Sequence, residues 1–381
     1  MYNNRDRVIL LLLILTLIFS LFTIFISSES TPSVSARAAA LYEPETESFL
    51  YLKNENERLG MASTTKIMTA ILALELLDPS ESVAVDPRAV GIEGSSIYLS
   101  AGEVMSASDL VYAVLLQSAN DAAAALAYKI SGSIEAFADL MNEKARSFGL
   151  ENTSFTNPHG LDDKNHYTTA HDLAIISANA LKNNKFQEIS STYKKEVTSS
   201  NTTRILVNHN KMLKTYEGCI GVKTGYTKKC GRCLVSAAKR DELTMISVTI
   251  DAPSDWSDHE KLLNYGYSLL EARTLAYPGE FTYNLPVICG DAEKITVTND
   301  EYIKRIFAKG ESDVKTHIKL SRYVAAPITE GDIIGEVVFT RNGEKIAAVN
   351  LVAKNTVNEI KKRKGFFSNL TKENLRQQTK D

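Results

Sequence analysis

Ser63-Thr64-Thr65-Lys66 places a hydroxyl and an amine three residues apart. On a helix that spacing puts both side chains on one face. A lysine with a depressed pKa can then take the serine proton, and the hydroxyl becomes a nucleophile for acyl transfer. Two further triplets suit the same chemistry. Ser118-Ala119-Asn120 falls at a break between two helical stretches, where side chains can project into a cleft. Lys223-Thr224-Gly225 ends a strand-like run. It can present a cation, a hydroxyl and close backbone to a bound carboxylate.

Each motif has decoys, and context separates them. Ser236-Ala237-Ala238-Lys239 lies in a strand-like run, where a spacing of three points side chains to opposite faces. Ser191-Thr192-Tyr193-Lys194 has no long helical face behind it. Ser177-Ala178-Asn179 reads as helix surface. Lys223-Thr224-Gly225 occurs once.

The elements that must hold these residues can be outlined. Residues 63–77 form a helix, with Ile67, Ala70, Ile71, Leu74 and Leu77 on an apolar face and Asp78-Pro79 closing it. Residues 106–130 supply two helices broken near 117–121, and 134–148 a third. Residues 151–168 read as ordered loop, and 173–181 as helix. Strands are expected at 38–42, 49–53, 205–208, 220–223, 234–238 and 243–250. A helix over 256–275 returns to pack on the sheet. Beyond Tyr277-Pro278-Gly279, short β-like runs at 281–287, 295–298, 317–320, 334–340 and 346–352 suggest a small all-β domain.

The 381 residues carry 43 basic and 46 acidic side chains, a net charge of -3. That balance gives no nucleic-acid footprint. Four cysteines are too few for a disulfide-built scaffold. Residues 8–26 contain no charge, with Arg5 and Arg7 before them. At about 1.5 Å per residue they can cross a roughly 30 Å hydrocarbon core. The basic flank favours a cytoplasmic N-terminus. Val34-Ser35-Ala36 suits a signal peptidase. Residues 1–36 are therefore read as a signal peptide or a retained membrane anchor. Residues 37–276 follow as a catalytic domain and 277–360 as the β-rich domain. Residues 361–381 form a tail beginning with the basic run Lys361-Lys362-Arg363-Lys364, either a solvated end or a membrane contact.

In combination the triplets resemble those of low-molecular-mass penicillin-binding proteins, the serine-type D-alanyl-D-alanine carboxypeptidases of peptidase family S11. Met61-Ala62-Ser63-Thr64-Thr65-Lys66, Asn157-Pro158-His159-Gly160-Leu161 and Gly221-Val222-Lys223-Thr224-Gly225-Tyr226 extend the match, as do Ala326-Pro327-Ile328 and the 331–335 region. The resemblance implies an α/β (α+β) fold of the β-lactamase and transpeptidase type. Its antiparallel sheet is flanked by helices and followed by a small all-β domain. It implies Ser63 as nucleophile, Lys66 as general base and Ser118 in the proton relay. Asn120 would hold the substrate amide. Lys223, Thr224 and Gly225 would receive the terminal carboxylate. Backbone N–H groups of Ser63 and Tyr226 would form the oxyanion hole. Lys66 is expected to have a lowered pKa, from nearby Lys223 and partial burial.

The implied reaction removes the terminal D-alanine from peptidoglycan pentapeptide stems through an acyl-enzyme, with no cofactor. Stem peptides ending in D-Ala-D-Ala, β-lactam antibiotics as covalent inhibitors and the cytoplasmic membrane are the implied partners. The implied location is outside the cell, at the outer face of the cytoplasmic membrane, in the wall, or secreted. Three rivals share these residues: a DD-endopeptidase or transpeptidase on cross-linked wall, a β-lactamase, and a non-catalytic wall-binding protein. No Glu-x-x-Leu-Asn loop of the class A β-lactamase kind is present.

No metal site is expected. His166 and His171 miss the i,i+4 helical pairing, and His259-Glu260 lacks a second histidine at the required spacing. His159 is read as ordering its loop. Cys230-Gly231-Arg232-Cys233 precedes a strand rather than a helix, which argues against a low-pKa redox thiol. Cys219 and Cys233 are left as either a structural disulfide or free thiols, and Cys289 has no evident partner.

Overall fold

The structure, a computed structural model, describes residues 30–360. The apolar stretch 8–26 and the tail 361–381 lie outside the described residues. Among the described residues no helix is long and apolar enough to cross a membrane. The chain forms two compact units, divided between Leu269 and Leu270.

The first unit is built on an antiparallel sheet. β1 (Ala38–Glu43) and β2 (Ser48–Lys53) form its opening hairpin. Two ribbons stand apart: β3 (Ser82–Ala84) with β4 (Val104–Ser106), and β5 (Lys194–Thr198) with β6 (Thr203–Val207). β7 (Cys219–Thr227), β8 (Gly231–Arg240) and β9 (Leu243–Ile250) then run as a meander, giving the order β2-β1-β9-β8-β7. β7, which carries the Lys-Thr-Gly triplet, is one of the two edge strands. Its register on β8 pairs Lys223 with Val235, Gly225 with Cys233 and Tyr226 with Arg232.

The helix Lys66–Leu76 is buried from Lys66 through Ala73. A helix apolar on all sides belongs in a core, and this one carries a lysine into it. The helix Asn120–Ser131 packs there too. Its Ala122 to Ala127 stretch is almost wholly buried, because small side chains permit close approach. Ser106, Ser133 and Thr169 cap the helices that follow them, each hydroxyl accepting a backbone N–H at 3.0 Å. Such caps contribute about 1 kcal/mol each.

Two expectations need correction. The helix expected over 256–275 is Asp255–Leu269, and the chain then turns into β10 (Leu270–Ala276). Leu270, Glu271 and Ala272 are good helix formers, so only a pairing partner reveals the strand. The division between units accordingly falls earlier than residue 276. Val34-Ser35-Ala36 packs within the first unit. Val34 and Ala36 are buried, and the Asp258 carboxylate accepts from Ser35 N, Ser35 Oγ and Ala36 N at 2.9, 2.7 and 3.1 Å. Small residues that suit a protease also suit tight packing. Finally, Ser177 is no surface residue. It is fully buried, and its hydroxyl donates to the Leu173 carbonyl.

The second unit is β-rich. Besides β10 it contains β11 (Thr282–Ile288), β12 (Lys294–Thr298), β13 (Ile303–Ala308), β14 (Val314–Leu320), β15 (Val324–Ala325), β16 (Ile333–Arg341) and β17 (Glu344–Ala353). Six strands form one sheet in the order β14-β16-β17-β12-β11-β15, and β10 pairs with β13. The β16–β17 hairpin turns at Asn342-Gly343, both with positive φ, as a two-residue hairpin turn requires. Leu285, Val297, Val337, Phe339 and Leu351 fill its core.

Candidate active site

Ser63 sits in a short 3-10 turn, Ala62–Thr65, that runs directly into the Lys66–Leu76 helix. Ala62, immediately before it, has φ 47°. A non-glycine residue in the left-handed region is strained, and such strain concentrates at functional sites. Two close approaches hold this turn. Gly160 has φ 87°, and a Cβ there would lie 1.9 Å from the Ala62 carbonyl oxygen. Gly225 of β7 lies against the other side, where a Cβ would stand 3.0 Å from Ser63 N.

Lys66 is fully buried, and its Nζ lies 3.0 Å from Ser63 Oγ. Nζ also donates to Asn120 Oδ1 at 2.7 Å and to the His159 carbonyl. Both of those partners are acceptors only. A neutral amine has two N–H groups and one lone pair. In that neutral form, with both N–H groups taken, the lone pair is left for the Ser63 hydroxyl. Asn120 is oriented as an acceptor, since its Nδ2 donates to the Glu93 carbonyl and so turns Oδ1 toward the lysine. Burial pushes the Lys66 pKa well below the ordinary lysine value. The charge of Lys223 pushes it the same way, and Asp121 partly opposes.

Ser118 lies in the break between two helices, as its sequence context implied, with φ 58°. Asp121 ties down the facing loop. Its carboxylate accepts from Ser96 Oγ at 2.6 Å and from Leu99 N at 2.9 Å. The Asn120 backbone N–H donates to the Ser95 carbonyl. Ser63, Ser95 and Ser118 thus share one cleft of about 310 Å³ with Thr224, Gly225 and Tyr226. His209, Arg232, Asp255 and Trp256 complete its wall.

Lys223 and Asn120 stand behind that wall. Lys223 is buried, and its Nζ donates to the Thr224 carbonyl at 2.9 Å. Burial brings its pKa down to about 7. Asn120 has both ends of its amide engaged inside the protein. The structure therefore gathers all the expected residues around Ser63, but in two layers.

The sequence reading missed the cleft's outer wall. Arg232 pairs with the buried Asp255 at 3.0 Å, and Lys211 Nζ lies 4.8 Å from the centre of the Trp256 ring. The signal existed. Arg232 is part of the Cys-Gly-Arg-Cys run, and the β7–β8 register places it opposite Tyr226. The thiols on either side of it are free, as are Cys219 and Cys289. Cys219 pairs with Ala238 and Cys233 with Gly225, so a bridge between them is out of reach. Burial raises the Cys230 and Cys233 pKa values, the opposite of a reactive thiol. Among the described residues no group of three or more His, Cys, Asp or Glu is placed to hold a metal ion.

Comparison with known proteins agrees with this geometry. Residues 26–254 match the family model of D-alanyl-D-alanine carboxypeptidase, and residues 271–359 that of the penicillin-binding protein 5 C-terminal domain. The chain is 36% identical over 344 residues to D-alanyl-D-alanine carboxypeptidase DacF of Bacillus subtilis, with 87% of each chain covered. The structure of penicillin-binding protein 5 from Haemophilus influenzae aligns at TM-score 0.63 and 30% identity, over 87% of this chain and 99% of that one. A variant of the Streptomyces K15 DD-transpeptidase aligns at TM-score 0.60 and 31% identity, over 63% of this chain and all of its own. These matches, together with a buried lysine beside Ser63 and an edge strand carrying Lys-Thr-Gly, place this chain in the serine-type D-alanyl-D-alanine carboxypeptidase family.

Proposed function

We propose that the chain shortens peptidoglycan pentapeptide stems by one D-alanine through an acyl-enzyme on Ser63. The observation that carries this reading is the Lys66 amine. It lies 3.0 Å from Ser63 Oγ with acceptors on its other sides. Ser63 Oγ attacks the penultimate D-alanine carbonyl as its proton passes to Lys66. The tetrahedral oxygen forms beside the backbone N–H groups of Ser63 and Tyr226. One such donor is typically worth about 3 kcal/mol to the transition state. The intermediate collapses, the C–N bond breaks, and the proton on Lys66 leaves with the amine of D-alanine. Water then attacks the ester and restores Ser63. Ser118 extends the relay at the cleft floor. Thr224 and Gly225 bind the terminal carboxylate, with Lys223 behind them supplying positive potential. β-Lactams acylate the same serine.

Residues 8–26 carry the chain through the cytoplasmic membrane, and the folded units work outside it on the wall. The relative named a DD-transpeptidase supports a second reading, in which an amine acceptor replaces water in the second step. Mass spectrometry of defined wall fragments separates the two. Tetrapeptide product from pentapeptide supports the carboxypeptidase. New cross-links support the transpeptidase, and cleavage of cross-linked dimers alone points to an endopeptidase.

A further inference from the structure

Beside the nucleophile turn lies a second pocket of about 410 Å³, whose lining includes Ala62, Gly160 and His166. His166 is buried within the loop that precedes the Ala170–Leu181 helix. Its hydrogen bonds define its tautomer. Thr156 N–H donates to Nδ1 at 3.0 Å, so Nδ1 carries no proton. Nε2 therefore carries it and donates to Thr65 Oγ1 at 2.7 Å. The Thr65 hydroxyl in turn donates to the Ala62 carbonyl at 2.8 Å. That carbonyl belongs to the left-handed residue immediately before Ser63.

We propose that His166 is a positioning residue for acylation: through Thr65 it holds the strained Ala62 peptide that aims the Ser63 hydroxyl and backbone N–H into the cleft. His166 reaches no reacting atom, and it acts only through this chain of two hydrogen bonds. Its neutral form is the one required. Burial pushes its pKa down to about 4. Asp162 and Asp163 favour the charged form and Lys66 opposes it. A protonated ring would turn Nδ1 into a donor facing the Thr156 N–H. Gly160 approaches the same two partners, Ala62 O and Thr65 Oγ1. The relay and the glycine thus grip one peptide from adjacent directions. The inference rests on the acyl-enzyme reading above.

The two ring nitrogens allow the positional role to be separated from a merely structural one. In His166→Asn the amide occupies the place of Nδ1, which keeps a partner for Thr156 and loses the donor to Thr65. In His166→Gln the amide reaches the place of Nε2 and does the reverse. Thr65→Val and Thr65→Ser repeat the comparison from the other end. Acylation by a fluorescent penicillin is followed by stopped flow, D-alanine release gives kcat and KM, and thermal melting reports folding. We expect His166→Asn and Thr65→Val to lose ~10- to 100-fold in acylation rate and kcat, with KM within ~3-fold, the scale of a small misplacement of a reacting group. His166→Gln and Thr65→Ser should recover most of the rate. Wild-type rates in His166→Asn and Thr65→Val would overturn the proposal. So would losses in all four variants that follow their melting temperatures. Should His166→Asn fail to fold, Thr65→Val decides. A wild-type chain that takes no label on Ser63 would refute the acyl-enzyme reading instead, and this inference with it.

Discussion

Gly225 faces the Ser63 backbone nitrogen so closely that a Cβ would stand 3.0 Å from it and 3.2 Å from Thr64 N. The edge strand β7 and the nucleophile turn are therefore packed directly against each other. Replacing Gly225 by alanine forces a shift of a few tenths of an ångström where the oxyanion must form. Acylation by a fluorescent penicillin should fall by ~10- to 100-fold while the melting temperature changes little. An unchanged rate would show that β7 does not set the turn.

Gly160 tolerates even less. A side chain there meets the Ala62 carbonyl at 1.9 Å and requires a left-handed φ. Gly160→Ala should cost at least ~2 kcal/mol of stability, from backbone strain together with overpacking. Urea unfolding measures it, and a midpoint equal to that of the wild type would contradict the packing described.

The pH dependence has a definite sign. Lys66 must be neutral to accept the proton, so acylation is lost as pH falls through its depressed pKa. Protonated Lys223 lowers that pKa. In Lys223→Gln the Lys66 pKa rises, and the acid limb of the rate profile moves to higher pH. A limb that stays in place, or moves down, would remove Lys223 from the electrostatics of the base.

The N-terminal segment yields a prediction about processing. Ser35 and Ala36 donate three hydrogen bonds to the buried Asp258 carboxylate. Hydrogen bonds to a charged acceptor contribute about 1.5 to 3 kcal/mol each. A cut that keeps these contacts falls upstream of Ser35. Intact-mass measurement of the protein isolated from cells should find Ser35 and Ala36 retained. A mature chain starting at residue 37 would show that these contacts are dispensable.

Much of this site was legible because its chemistry is local. Ser63 and Lys66 are separated by one helical turn, and the Ser118 break and the Lys223 strand are marked by their own neighbours. Residues brought in by pairing register were not legible. Arg232 faces the cleft only because β8 pairs Arg232 with Tyr226. Trp256 does so only because its helix starts at Asp255. His166 was tested against metal spacing and set aside, since its partner Thr65 lies 101 residues away. The same limit explains β10, whose helix-forming residues become strand by pairing with β13.

The central claim is the covalent intermediate on Ser63. Wild-type protein is quenched in acid during turnover of a D-Ala-D-Ala pentapeptide, digested, and mapped by mass spectrometry, with Ser63→Ala in parallel. The account predicts an acyl adduct on the peptide containing Ser63, and neither adduct nor D-alanine release from the variant. An adduct on another residue, or D-alanine released by Ser63→Ala, would contradict it.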